Sequence, residues 1–128
     1  MRVFKTKVFS RFARKESLRD QKLAEAVREI EAGLHDGDLG GGLIKKRLAR
    51  VGAGKRGGYR VIIAYRKGNQ AVFLYGFAKS DRENLEPEEL REYQKVAQIY
   101  GRFREADIAE AIRGGELQEV EYDEKISQ

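Results

Sequence analysis

The chain has 128 residues, of which 41% are hydrophobic and 37% charged, with a net charge of +5; this is one domain of polar but foldable sequence, not a disordered one. It has no cysteine and a single histidine, His35, which excludes disulfide scaffolds, thiolate metal sites and histidine-rich zinc centres. Residues 1–10 lack the apolar run of a signal peptide and no later stretch is long enough to span a membrane, so the expected compartment is the cytoplasm.

In chain order, residues 2–6 read as a short strand, and Phe9, Phe12 and Ala13 then fall on one face of a helix. Ser17 is placed as the N-cap of a second helix, with Asp20 three residues on as in a capping box; Leu23, Val27, Ile30 and Leu34 continue its apolar stripe and Gly33 ends it. This predicts a helical hairpin. Asp36, Gly37 and Asp38 resemble the start of a calcium loop, but the next ligand positions would be Gly40 and Arg47, so the segment is read as a turn. After the triplet Gly40, Gly41, Gly42, residues 43–49 alternate basic and apolar side chains as a half-buried strand does. A glycine-rich loop over 51–58 leads to strands over 59–66 and 71–77, joined by a Lys67-Gly68-Asn69 turn. The resulting three-stranded meander needs a helix over one face, which the hairpin supplies.

Pro87 fits the first position of a further helix with Leu90, Tyr93, Val96, Ala97 and Tyr100 on its apolar face and Gly101 as its stop. A shorter helix over 104–113 ends at Gly114 and Gly115, and residues 117–122 form a last strand or an ordered tail. The expectation is one α+β domain over residues 1–128, a core of about 1–100 and a C-terminal extension over 101–128.

The net charge resolves unevenly along the chain: +2 over residues 1–38, −7 over 81–128, and +10 over 39–80, where ten cations stand without one carboxylate. Solvated surfaces interleave both signs, so such a run points to a surface that meets a polyanion; the plainer alternative is a soluble sheet with basic edges. The segment 52–57 matches GxGxxG but precedes a strand where a dinucleotide site needs a helix. The phosphate-loop reading fails at Ala49 and Arg56. What remains is a loop whose glycines admit close backbone approach and whose Lys55 and Arg56 suit phosphate. Alternation puts Arg60 and Arg66 on one face of their strand, and Lys79 at the open end of the hairpin can approach Arg60. Lys55, Arg56, Arg60 and Lys79 are thus expected around one concavity.

Leu43 to Arg50, the loop with Gly52, Gly54, Lys55, Gly57 and Gly58 before Tyr59-Arg60, and Phe73-Leu74-Tyr75-Gly76-Phe77-Ala78-Lys79-Ser80 together resemble the RelE/HigB toxins of bacterial type II toxin–antitoxin modules. The resemblance covers essentially the whole chain. It implies a RelE-like fold, a helical hairpin packed on a small antiparallel sheet with C-terminal helices. It also implies an endoribonuclease that cleaves messenger RNA on the ribosome through the substrate's own 2′-OH, with no metal or cofactor. Arg60 matches the family arginine that holds phosphate. Lys46, Arg47 and Lys55 fall near its basic second strand and loop, and Lys79 near the end of its last strand. Lys45, Arg50 and Arg56 join them as RNA contacts, and Tyr59 joins Arg60, Lys79 and Lys55 in the catalytic set. Many relatives carry a Tyr or His beyond the last strand, where this chain has Asp81 to Glu86; a lysine, Tyr59 or Tyr93 is left as the proton carrier. The implied partners are messenger RNA, the ribosome and a cognate antitoxin of the helix-turn-helix kind, with operator DNA met only through that antitoxin and no membrane. The alternatives are a ParE-like toxin that inhibits gyrase by contact and a non-catalytic RNA-binding regulator.

Overall fold

The computed structural model describes residues 1–50 and 54–121, with the backbone alone at 54–56. Along the chain lie β1 (Arg2–Thr6), α1 (Lys7–Lys15), α2 (Asp20–Glu31), β2 (Gly37–Gly40), β3 (Leu43–Arg50), β4 (Gly54–Arg66), β5 (Gln70–Ala78), α3 (Pro87–Gly101), α4 (Glu105–Arg113) and β6 (Leu117–Glu119). The strands form one six-stranded sheet in the order β2-β3-β4-β5-β1-β6, antiparallel except where β1 lies parallel to β5. The class is α+β, as the pattern predicts.

The uninterrupted apolar run of β4 explains the layering. Val61, Ile62 and Ile63 are all 0% exposed, which a strand achieves only when both faces of its sheet are covered. On one face α1 and α2 lay Phe9, Ala13, Leu23, Val27 and Ile30 against Val61, Ile63 and Phe73. On the other, α3 and α4 lay Ala97, Tyr100, Ile108 and Ala111 against Ile62, Val72 and Leu74. The hairpin therefore covers one face as expected, and the C-terminal helices cover the second. Residues beyond α3 are part of this core: Leu117 is buried and β6 pairs with β1.

One irregularity governs the site. In the β4–β5 pair, Ile62 faces Tyr75 whereas Ile63 faces Phe73, so Leu74 is an extra residue and the strand bulges. Simple alternation puts Phe73, Tyr75 and Phe77 on one face. The bulge turns Tyr75 and Phe77 to the α3 face, while Phe73 stays under α1. Gly76 consequently points at α1, where the Phe12 ring occupies the space a Cβ needs.

Several boundaries differ from the sequence reading. Ser17 is not the N-cap of α2; it sits in the connection with φ 56°, and Arg19 precedes the first helical residue. Asp20 bonds elsewhere, accepting from Lys5 Nζ at 2.7 Å and from the Glu121 amide at 2.9 Å. Leu34, placed on the buried stripe, lies past the helix end and is 61% exposed. Gly37 to Gly40 pair with β3 as a strand, and the three left-handed glycines at 40, 41 and 42 turn the chain into β3. Strand β4 starts at Gly54, four residues inside the segment read as a loop ending at Gly58, because Gly54 pairs with Arg50. The rest of that predicted loop, residues 51–53, lies outside the described residues.

Gly58 faces β3 so closely that a Cβ there would overlap the Leu48 carbonyl oxygen. A backbone atom in a sheet cannot rotate aside, so Gly58→Ala is expected to lower stability by about 1–3 kcal/mol. Urea unfolding should show a reduced midpoint at unchanged slope.

Candidate functional site

The cations of residues 39–80 lie on β3, β4 and β5 and the turns beside them, and strand alternation divides them between the two faces. Lys46 points toward α2, where it is buried and pairs with Glu29 at 3.1 Å. Tyr59 also faces the helical hairpin: it is buried, with its ring edge-on to Phe12 at 5.5 Å. Burial, and then the hydrogen bond and charge of Glu16, raise its phenol pKa. Arg50 lies on that side as well, lining a groove with Tyr59, Glu16 and Leu18. Lys46, Arg50 and Tyr59 are therefore not brought together with Arg60.

Arg60 faces the other way. Its Cα partners are Arg47 on β3 and Phe77 on β5, so two arginines stand directly opposite each other, a pairing that is unfavourable by itself. Arg47 is exposed and has Asp36: the carboxylate accepts from the Arg47 amide at 2.6 Å and lies 3.5 Å from its guanidinium. Arg60 is only 5% exposed, and no ion pair joins it to any carboxylate among the described residues. Its Nη1 donates to the Tyr59 carbonyl at 3.3 Å. The N–H groups that have no protein acceptor still touch solvent, since the one fully covered unpartnered side-chain atom among the described residues belongs to Arg82. A guanidinium with a buried stem, an open tip and no counter-charge is arranged for an anion.

The surroundings add charge and flat rings. Lys45 shares the face of Arg47 and donates to Asn84 Oδ1 at 2.8 Å. Lys79 follows β5, its amide bonded to the Gly58 carbonyl at 3.0 Å, which places it opposite the residue two before Arg60. Lys55 and Arg56 stand on β4, but their side chains lie outside the described residues. The expected neighbourhood of Arg60 and Lys79 is thus present in the strand register, and Arg47 and Lys45 complete it from β3.

Arg82 was missed in the sequence reading. Its guanidinium carbon lies over the Phe77 and Tyr75 rings, at 5.0 and 5.4 Å from the ring centres. Both terminal nitrogens donate to the Glu89 carboxylate at 2.9 Å. Glu89 also accepts from the Glu86 amide at 2.9 Å, so it caps α3 and holds Arg82 at once. Tyr93, one turn on in α3, stacks on Tyr75 at 5.5 Å. Burial, then the charges of Tyr75 and Glu89, raise its phenol pKa. The only sequence signal for this group was an isolated arginine inside an acidic stretch.

Among the described residues no cluster of His, Cys, Asp or Glu could hold a metal ion, and no helix is long and apolar enough to cross a membrane. Compared with known proteins, residues 1–120 match the family model of the RelE toxin of the RelE/RelB toxin–antitoxin system. No curated protein matches the chain.

The Arg82 guanidinium holds the Glu89 carboxyl below its ordinary value of 4.5, first by hydrogen bonding and then with help from the Glu86 amide. A carboxylate lowered in the folded chain contributes in full above its unfolded value and loses that contribution as pH falls through the lowered one. Carbon-13 NMR should find Glu89 titrating below 4.5, and higher in Arg82→Ala.

Proposed function

Because the chain belongs to the RelE toxin family, and so is the toxin of a toxin–antitoxin pair, we propose that it is a metal-independent endoribonuclease that cuts messenger RNA on the ribosome. The observation that carries this reading is Arg60: a buried guanidinium that pairs with no carboxylate among the described residues, set against a second arginine on the neighbouring strand. A phosphodiester is the anion that relieves this pairing. Gyrase inhibition by contact alone gives no reason for a buried arginine held opposite a second one.

The chemistry asked of the protein is small. The ribose 2′-OH gives up its proton to solvent as its oxygen attacks the adjacent phosphorus in line with the departing 5′-oxygen; a 2′,3′-cyclic phosphate forms, the bond to the 5′-oxygen breaks, and that oxygen takes up a proton to leave as a 5′-OH. Arg60 holds the non-bridging oxygens and gains strength as charge builds on them, and Arg47, Lys45 and Lys79 add to the field. Arg60 is rigid because Phe77 and β3 flank it, so little reorganisation is needed at the moment of reaction. Tyr93, which stacks on the Tyr75 ring and is protonated near neutrality as an ordinary phenol is, is the group assigned to give the leaving oxygen its proton. Tyr59 has no part in this scheme, since it lies on the opposite face. The cognate antitoxin, of the helix-turn-helix kind, restrains the activity by covering the basic sheet or by blocking approach to the ribosome.

Arg60→Ala should reduce cleavage by about 10²–10³. Arg60→Lys should recover part of the loss, since a point charge replaces a planar fork. Tyr93→Phe should cost about 10²-fold or more with binding kept, and Tyr59→Phe should cut normally. Mapping transcript 5′ ends after induction measures all four; full toxicity in Arg60→Ala, or intact messages with damaged DNA, would overturn the assignment.

A further inference from the structure

Helix α1 carries a second concentration of positive charge that the cutting scheme does not use. It holds Lys7, Arg11, Arg14 and Lys15 and no Asp or Glu, whereas α2, α3 and α4 each mix both signs. The burial of Phe9 and Ala13 fixes its orientation and leaves all four cations exposed. Spacings of four, three and one keep them on one side of the helix, over a rise of about 10 Å from Lys7 to Arg14. None of them, nor the exposed Arg19 beyond the helix, is in an ion pair among the described residues.

These side chains border an open groove of about 1160 Å³ between α1 and β6, lined by Lys7, Arg11, Arg14 and Arg19. Carboxylates also line it, but two are already neutralised: Asp20 pairs with Lys5 at 2.7 Å and Glu119 with Arg2 at 2.9 Å. Glu121 is the remaining acid of its lining among the described residues. The free charge of the groove is therefore positive. Ile112 is the one exposed large hydrophobic residue in its lining, too little to anchor a peptide, whose affinity depends on apolar side chains set in pockets. A phosphate backbone needs no such anchor.

We infer that the exposed side of α1 and the groove beside β6 form a second RNA-docking surface, which grips the phosphate backbone of a folded RNA while Arg60 works on another segment. The inference rests on the reading that the chain acts on RNA. It adds a geometric requirement: α1 packs on the Tyr59 and Val61 face of the sheet, whereas Arg60 opens on the other. An RNA that meets both must have bulk on two sides of the protein, as a folded RNA or a ribonucleoprotein has and a short single strand has not.

The test uses the double variant Arg11→Gln/Arg14→Gln, whose sites are exposed and unpaired, so folding is expected to be unchanged by urea midpoint. In an Arg60→Ala background, which leaves RNA uncut, binding to bacterial ribosomes and to a 20-base-pair RNA duplex is measured across salt concentrations. The double variant should bind both about 10-fold more weakly at physiological salt. Its slope of log affinity against log salt should be shallower by about 1–2, the change expected for two lost phosphate contacts. In the same Arg60→Ala background, the double variant should bind a 12-nucleotide single strand as tightly as its parent. Unchanged ribosome and duplex affinity with an unchanged slope would overturn the inference, as would a loss confined to binding of the cognate antitoxin. Failure of the cutting assignment shows separately, as cleavage that survives Arg60→Ala, and the binding measurements decide the docking surface either way.

Discussion

Two arginines facing each other across neighbouring strands are a constraint from which the rest of the site follows. Arg47 and Arg60 occupy one register position, and like charges there oppose pairing by about 0.2–1 kcal/mol before any cost of burial. Arg47 relieves its part through Asp36 and solvent. Arg60 has neither remedy in full, since its stem is enclosed and its partner is a backbone carbonyl. Hydrophobic burial elsewhere on β4 and β5 holds the strand in register despite this. Two like charges are thus held together at one place without a carboxylate on Arg60 among the described residues.

The aromatic floor of the site depends on a single extra residue. Were β4 and β5 paired without the bulge at Leu74, Tyr75 and Phe77 would lie under α1 with Phe73, and the surface beside Arg60 would have no rings. The bulge turns them outward, Arg82 stacks on both, and Glu89 ties Arg82 to the start of α3. Gly76 is the counterpart of this arrangement, because only a residue without a side chain fits beneath Phe12. Fold and site are coupled there. Packing on one face of the sheet sets what the other face presents.

Charge is also organised on a larger scale. Lys45, Arg47 and Arg60 of the sheet face one side, the cations of α1 the other, and the hydrophobic layers lie between them. Of the acidic residues after β5, Glu88, Glu89, Glu92, Glu105, Asp107 and Glu110 sit on α3 and α4, where Glu89 and Asp107 accept hydrogen bonds at helix starts. That local role accounts for part of the negative block without any contact to the basic face.

The sequence by itself determined the strands of the meander, the helical hairpin, the helix opened by Pro87, the α+β class and the basic, carboxylate-free stretch that contains the site. These follow from local periodicity, from glycine and proline chemistry and from charge counting, which need no knowledge of distant contacts. It also brought Arg60 and Lys79 together, since hairpin register is nearly local. Only the tertiary structure decided which cations share a face. Lys46 and Tyr59 turn to the helical layer, Arg47 stays with Arg60, and Arg82 arrives from beyond the sheet. The physical reason is that side-chain direction along a strand has period two, so one bulge reverses every assignment after it, and a guanidinium and a carboxylate seven residues apart meet only where a loop and a helix start are packed on that face.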